Sequence, residues 1–201
     1  AGTVIFGGGL DSSPVWMNRF AQLETYPDSW AVFRDVKAEY GSVIRPGGNH
    51  AYGSLAIDTL RLGFGSVLEM DLFNQQQGFS ACDGIGVRKL VIETKDWQYG
   101  PEYKAPVLRF IPNLEDGQTQ IPEGKYEILQ ANEIVGNIDD FVIEGLDGLV
   151  YDLRKETNED GFSRIYLIVQ STRSPLDVRW VGDEDNTWDF NQRENFLLPD
   201  G

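Results

Sequence analysis

Short apolar strands interrupted by glycine constrain the fold of this chain more than any other feature. Residues 53–72 read Gly-Ser-Leu-Ala-Ile-Asp-Thr-Leu-Arg-Leu-Gly-Phe-Gly-Ser-Val-Leu-Glu-Met-Asp-Leu. They predict strands at 55–62 and 67–72, separated by a corner at Gly63-Phe64-Gly65, and a third strand follows at 85–92. Since an α-helix of ordinary length does not fit between these strands, the stretch indicates either a β-solenoid or a tightly packed β-sandwich.

The rest of the chain continues in the same style, and no segment predicts a helix. A motif of glycine, serine and an apolar residue recurs at Gly41-Ser42-Val43, Gly53-Ser54-Leu55 and Gly65-Ser66-Val67, twelve residues apart each time. A corner glycine before a short strand is typical of a coil edge in a parallel β-helix. Coils of about 20–22 residues would give about nine coils. Further strands are predicted at 3–6, 42–45, 107–111, 124–130 and 178–181, with a hairpin of 149–153 and 164–170.

Charge and composition exclude several classes of protein. The net charge is −15, from 32 acidic and 17 basic residues, which disfavours nucleic acid and anionic membranes as partners. No apolar run reaches the roughly 18–20 residues of a membrane-spanning helix, so we expect no membrane insertion.

The single cysteine, Cys82, cannot form an intrachain disulfide. With His50 as the single histidine, a zinc site of several Cys or His ligands cannot be built.

Several ordered segments carry a resemblance to a known family. They are Gly53 to Leu72, the turn Cys82-Asp83-Gly84 with its following strand, Gly124 to Leu129, Gly148 to Leu153, and a C-terminal piece with Trp180, Gly182, Trp188 and Asp189. In this order they resemble the autotransporter-associated β-strand repeat proteins, which are passenger-type chains. The resemblance implies a right-handed parallel β-helix in an exported bacterial protein, with a role in surface architecture and no shared catalytic residues. It predicts a β-solenoid domain at 1–176, with 177–201 resembling the start of a further repeat.

Two groups of residues are candidate binding sites. Trp97, Tyr99 and Tyr103 lie in one polar loop, where exposed aromatic rings can stack on sugars. Asp183, Asp185 and Asn186 offer the hard oxygen ligands that calcium prefers, so a calcium ion is the metal that the sequence admits. Neither this turn nor the one at 158–161 matches the spacing of an EF-hand loop.

The paired carboxylates of Glu69 and Asp71 share one face of a predicted strand. We expect them to form a solvated polar face that keeps the sheet soluble. A polysaccharide-active enzyme on a β-helix, using such a pair, is an alternative interpretation.

The sequence therefore predicts an all-β protein that is not an enzyme and has no required cofactor. Its expected function is that of a structural or adhesive segment of an exported bacterial surface or extracellular protein. Its expected partners are neighbouring repeats, or copies of itself joined through open β ends. One alternative is a carbohydrate-binding module with a β-sandwich fold that uses the loop at 96–103.

Overall fold

The computed structural model describes residues 2–6, 10–11, 14–48, 50–73, 82–93, 105–113 and 121–170, and the backbone of 179–180 and 196–197. The chain divides into two compact units, Ala1–Gln170 and Ser171–Gly201. The described residues form strands and one short 3-10 helix, Ile138–Asp140, so the predicted all-β class is confirmed. None of them forms a helix with the length and apolarity that a membrane crossing requires.

Fourteen strands are described in the first unit: β1 (Thr3–Phe6), β2 (Leu10–Asp11), β3 (Val15–Met17), β4 (Gln22–Thr25), β5 (Ser29–Ala38), β6 (Val43–Arg45), β7 (Gly53–Leu62), β8 (Val67–Phe73), β9 (Gly84–Ile92), β10 (Val107–Asn113), β11 (Gly124–Val135), β12 (Val142–Glu144), β13 (Val150–Thr157) and β14 (Ser163–Gln170). In the second unit, β15 (Arg179–Trp180) pairs with β16 (Phe196–Leu197) in antiparallel fashion.

The strands of the first unit form two sheets. Sheet A has the order β1-β4-β6-β8-β10-β12, and every neighbouring pair in it is parallel. Sheet B has the order β13-β14-β11-β9-β7-β5-β2, with β3 also beside β5, and it is parallel from β2 to β11. From β4 to β13, consecutive strands lie in alternate sheets. Each pass of the chain therefore adds one strand to each sheet.

The predicted hairpin at the end of the first unit is confirmed. Strands β13 and β14 pair in antiparallel fashion from Val150↔Gln170 to Thr157↔Ser163. Strand β14 then pairs antiparallel to β11, so the hairpin ends the parallel part of sheet B. Strand β11 continues to Val135, five residues beyond the predicted end at Gln130.

The spacing of stacked strands is uneven along the chain. Glu24 of β4 and its register partner Arg45 of β6 are 21 residues apart, as the predicted coil length requires. Partners in β8 and β10, Glu69 and Arg109, are 40 residues apart. The predicted coil length of about 20–22 residues therefore holds for the first pair and not for the second, because the segments 74–81 and 94–104 lengthen the chain between β8 and β10.

One apolar core joins residues of both sheets. Apolar side chains occupy the same register position on successive parallel strands, so they form continuous rows. Each member of these rows is at most 5% exposed. In sheet A the row is Leu23, Ile44, Leu68 and Leu108; in sheet B the rows are Phe33, Ile57 and Val87, then Val36, Leu60 and Leu90.

In strands β5, β7 and β9, the alternation of buried and outward-facing side chains shifts by one residue at the same register position. In β7, Leu55 and Ile57 are buried, then Asp58 and Thr59 both lie outside the core, and Leu60 is buried again. Strict alternation would place a buried residue at Thr59, so the strand turns at this position. The pairing skips one position at the turn and resumes in the same register on either side of β7, and the three strands therefore bend together.

Glycine corners lead into the strands of sheet A. Gly41 and Gly65 adopt positive φ angles of 71° and 63°, a region where glycine has no steric penalty. The amide of Gly41 donates to the carbonyl of Gly65 over 2.9 Å, so the two corners stack. A Cβ at Gly65 would lie 2.5 Å from the Tyr40 ring. Gly53 begins a strand of sheet B instead. The twelve-residue period therefore corresponds to half a coil, from a strand of one sheet to the next strand in the other sheet.

Candidate functional site

A ladder of alternating charges crosses sheet A. Glu24, Arg45, Glu69, Arg109 and Glu144 come from five neighbouring strands, β4 to β12. The ion pairs along it measure 3.3 Å (Arg45 Nη1 to Glu24 Oε1), 2.5 Å (Arg45 Nε to Glu69 Oε1), 3.2 Å (Arg109 Nη1 to Glu69 Oε2) and 2.9 Å (Arg109 Nη2 to Glu144 Oε2). Four members directly follow a residue of the apolar row, and Glu144 follows Ile143, the register partner of Leu108, so the ladder lies on the opposite face of the sheet.

The charges of the ladder compensate each other. The side chain of Glu69 is 6% exposed and lies between two guanidinium groups. A carboxylate so far from water is stable when it is paired and hydrogen-bonded, as this one is. The ladder therefore links neighbouring strands and leaves no free carboxylate at Glu69 for chemistry on a substrate.

A second polar cluster surrounds Asp83, in the turn before β9. Asp83 is fully buried. Its Oδ1 accepts the backbone N–H of Gly53, and its Oδ2 accepts that of Asp71, both over 2.8 Å. One carboxyl group thus joins the start of β7 in sheet B to the middle of β8 in sheet A. Burial raises the pKa of Asp83 to about 8, although both backbone hydrogen bonds act to lower it.

Asp71 lies beside this cluster and is 3% exposed. Its Oδ2 has no hydrogen-bond partner among the described residues. Burial raises the pKa of Asp71 to about 6, while the neighbouring His50 acts to lower it. The expectation that Glu69 and Asp71 form a solvated face is therefore wrong. Because both carboxyl groups are enclosed, a polysaccharide chain has no access to them as an acid–base pair.

The sequence-predicted ligand sites lie elsewhere in the chain. Trp97, Tyr99 and Tyr103 are outside the described residues, and so are Asp183, Asp185 and Asn186. Within the described part, no three histidine, cysteine or acidic side chains are grouped as metal ligands would be. Cys82 is fully buried, and its Sγ donates to the backbone carbonyl of Glu127 over 3.0 Å.

The two ends of the strand stack differ in character. At one end β1 is the outermost strand of sheet A. Val4 continues the row of Leu23, yet Val4 is 52% exposed and Leu23 is 1% exposed. Ile5 beside it is 49% exposed. The last side chain of the apolar row, that of Val4 in β1, is thus half exposed to solvent.

At the other end, the outermost strand of sheet B is β13 of the antiparallel hairpin. Its outward side chains include Asp152 and Arg154, which form an ion pair over 2.8 Å. Charged side chains on an edge strand oppose pairing with another sheet. The charged side chains of β13 therefore protect its edge, whereas β1 (Thr3–Phe6) carries no charged side chain.

Sequence reasoning missed the charge ladder, although a signal for it exists. Four of its members end a tripeptide of valine, leucine or isoleucine, and a charged residue: Val43-Ile44-Arg45, Val67-Leu68-Glu69, Val107-Leu108-Arg109 and Val142-Ile143-Glu144. Aligning these tripeptides places opposite charges on successive strands. The Asp83 cluster has no comparable signal, because its partners are backbone amides.

Family models and curated proteins were compared with the sequence of this chain. No protein-family model matches the chain. No curated protein matches it either. The resemblance to autotransporter-associated repeats therefore depends on the quoted sequence motifs and stays a prediction.

Proposed function

We propose that this chain is a structural or adhesive segment of an exported bacterial surface or extracellular protein, folded as a right-handed parallel β-helix. The observation that carries the proposal is the strict alternation of β4 to β13 between two sheets, with parallel neighbours from β4 to β11. A chain that coils repeatedly around one core produces this arrangement. The right hand follows from the strong preference of parallel crossover connections.

The β-sandwich alternative receives less support. Sandwiches of the carbohydrate-binding type are built mainly from antiparallel strands joined by hairpins. Here β13 and β14 form a hairpin, but the strands before them pair in parallel with strands two or more elements away. The exported location is an inference from the family resemblance alone. The enzyme alternative with Glu69 and Asp71 is disfavoured by their burial.

The partner that fits the β1 end is a further repeat or a second copy of the chain. An outermost strand presents unpaired N–H and C=O groups, and here it also presents the apolar side chains of Val4 and Ile5. A strand added beside β1 would extend sheet A and cover the open row. Stacked coils of this kind act mechanically, since backbone hydrogen bonds join each coil to the next.

Sedimentation velocity over a range of concentrations tests this proposal. We expect association that increases with concentration in the unmodified chain and that is abolished by Val4→Lys, because a lysine at the open row cannot be covered. Val150→Lys is the matched control, since Val150 is 54% exposed on the protected β13 edge. A chain that stays monomeric at every concentration, or equal effects of the two variants, would contradict the proposal. Ile5→Lys provides a second variant at the same edge.

A further inference from the structure

A groove lies on the outer face of sheet B, away from both polar clusters. It has a volume of about 760 Å³. Its walls include the aromatic side chain of Trp16 and several charged or polar side chains from β5 and β7 and the segments that follow β3, β5 and β9. Pairing between the strands holds these groups on a rigid scaffold. A concave site with one apolar surface and a few converging polar groups is the usual form of a small-ligand site.

Trp16 occupies one end of a register row across three strands. In the strand register, Trp16 lies opposite Lys37 of β5, and Lys37 lies opposite Arg61 of β7. Neighbouring strands are about 4.8 Å apart, so the three side chains are evenly spaced along the groove. Trp16 is 78% exposed, which leaves a large flat apolar surface in water. Such a ring is an anchor for a ligand with an apolar face of similar size.

The polar groups of the groove suit a ligand with many hydroxyls. Lys37 pairs with Glu39 over 3.4 Å. Among the described residues, no ion pair or hydrogen bond is made by the side chain of Arg61, so its five N–H donors are available to a ligand. Asn18 offers both a donor and an acceptor, and Glu93 offers acceptors.

The charge of the groove decides between classes of ligand. Three carboxylates (Asp35, Glu39 and Glu93) face two cations, on a chain with a net charge of −15. A polyanion such as a nucleic acid or an acidic polysaccharide is repelled by this surface. Proline-rich peptides bind grooves lined by several aromatic rings. Trp16 is the single aromatic side chain among the described residues that line this groove.

We propose that this groove binds a neutral glycan, with one pyranose ring stacked on Trp16 and its hydroxyls hydrogen-bonded by Arg61 and the neighbouring carboxylates. The described residues that line the groove lie outside β1, so the proposal is independent of association through β1. It gives the adhesive role a ligand class, and it stands even if the chain does not self-associate.

Native affinity electrophoresis tests the proposal with defined probes. The intact chain is run in gels that contain a soluble neutral polysaccharide (mixed-linkage β-glucan, xyloglucan or galactomannan), and a parallel gel contains polygalacturonate. We expect retardation by at least one neutral polysaccharide and an apparent affinity lowered by about tenfold or more in Trp16→Ala. Trp30→Ala is the matched control, because Trp30 is 56% exposed at the other end of β5 and does not line the groove.

The outcomes separate this proposal from its rivals. Retained binding in Trp30→Ala, reduced binding in Arg61→Ala and partial binding in Trp16→Phe would support it. The proposal is overturned if no neutral polysaccharide retards the chain, or if Trp16→Ala binds as the unmodified chain does. Retardation by polygalacturonate alone, or titration of Trp16 by a decaproline peptide in place of a glycan, would also overturn it. Val4→Lys should leave glycan binding unchanged, so a failure of the self-association proposal is recognised separately.

Discussion

Replacing Asp83 should destabilise the fold strongly, because its carboxyl group holds two sheets together. In Asp83→Ala, the amides of Gly53 and Asp71 lose the acceptors that they contact at 2.8 Å. A buried amide left without a partner costs about 1–3 kcal/mol, so the loss should be about 2–6 kcal/mol. Asp83→Asn keeps one acceptor oxygen and should lose about half as much.

Urea denaturation followed by tryptophan fluorescence measures the free energy of unfolding for each variant. The matched control is Asp152→Ala on the exposed β13 strand, which should change stability by about 0.5 kcal/mol or less. Equal losses in Asp83→Ala and Asp152→Ala would refute the role of Asp83 as a link between sheets.

The pH dependence of stability gives an independent check. Burial raises the pKa of Asp83 to about 8 and that of Asp71 to about 6, above the value of 3.8 for an unperturbed carboxyl. The folded state therefore binds these protons more tightly than the unfolded state does. Their contribution to stability is complete below pH 3.8 and is lost as the pH rises through 6 and 8. We expect the free energy of unfolding to fall between pH 5 and 8, and to fall less steeply in Asp83→Asn. A flat or rising profile would show that Asp83 is ionised in the fold.

Two further predictions concern the ladder and the corners. Glu69→Gln should lower the free energy of unfolding, measured by urea denaturation, by about 1–3 kcal/mol, because it leaves two arginines short of a charged partner. The control is Glu144→Gln at the end of the ladder, where the glutamate side chain is 38% exposed and the loss should be less than about 1 kcal/mol. Equal losses of stability in the two variants would contradict the ladder. Gly65→Ala should lower the thermal midpoint more than Gly161→Ala. Both glycines have positive φ, but a Cβ at Gly161 would meet nothing within 4 Å, whereas at Gly65 it would meet the Tyr40 ring. Similar shifts in the two variants would show that the ring moves aside at no cost.

The local pattern of the sequence was sufficient to locate many strands. Strands near 55–62, 67–72 and 85–92 lie where alternation and glycine corners predict them, and the hairpin follows from two apolar runs around an acidic turn. The core is equally local in origin. Leu60 and Leu62, for example, are apolar residues of the predicted strand at 55–62, and both are fully buried.

What sequence reasoning missed depends on which strands become neighbours. Glu69 was expected in water because it is charged, and its burial depends on arginines 24 positions before it and 40 positions after it. The uneven spacing of the strands hides these partners, since no fixed period brings them into line. The Trp16 groove is similar. Trp16 precedes Arg61 by 45 positions, and the two residues share a groove because β5 lies between their strands.

The charge ladder also limits how this sheet can grow or shrink. Its signs alternate from strand to strand, so Glu69 has an arginine on either side and the end members Glu24 and Glu144 have one each. If the strand that carries Arg45 were deleted, Glu24 would lie directly beside Glu69, and like charges on neighbouring strands destabilise a sheet. Deleting the strands of Arg45 and Glu69 together would place Glu24 beside Arg109 and restore attraction. For the strands between its ends, the ladder thus imposes a parity rule: removing two neighbouring strands keeps opposite charges side by side, whereas removing one places like charges side by side.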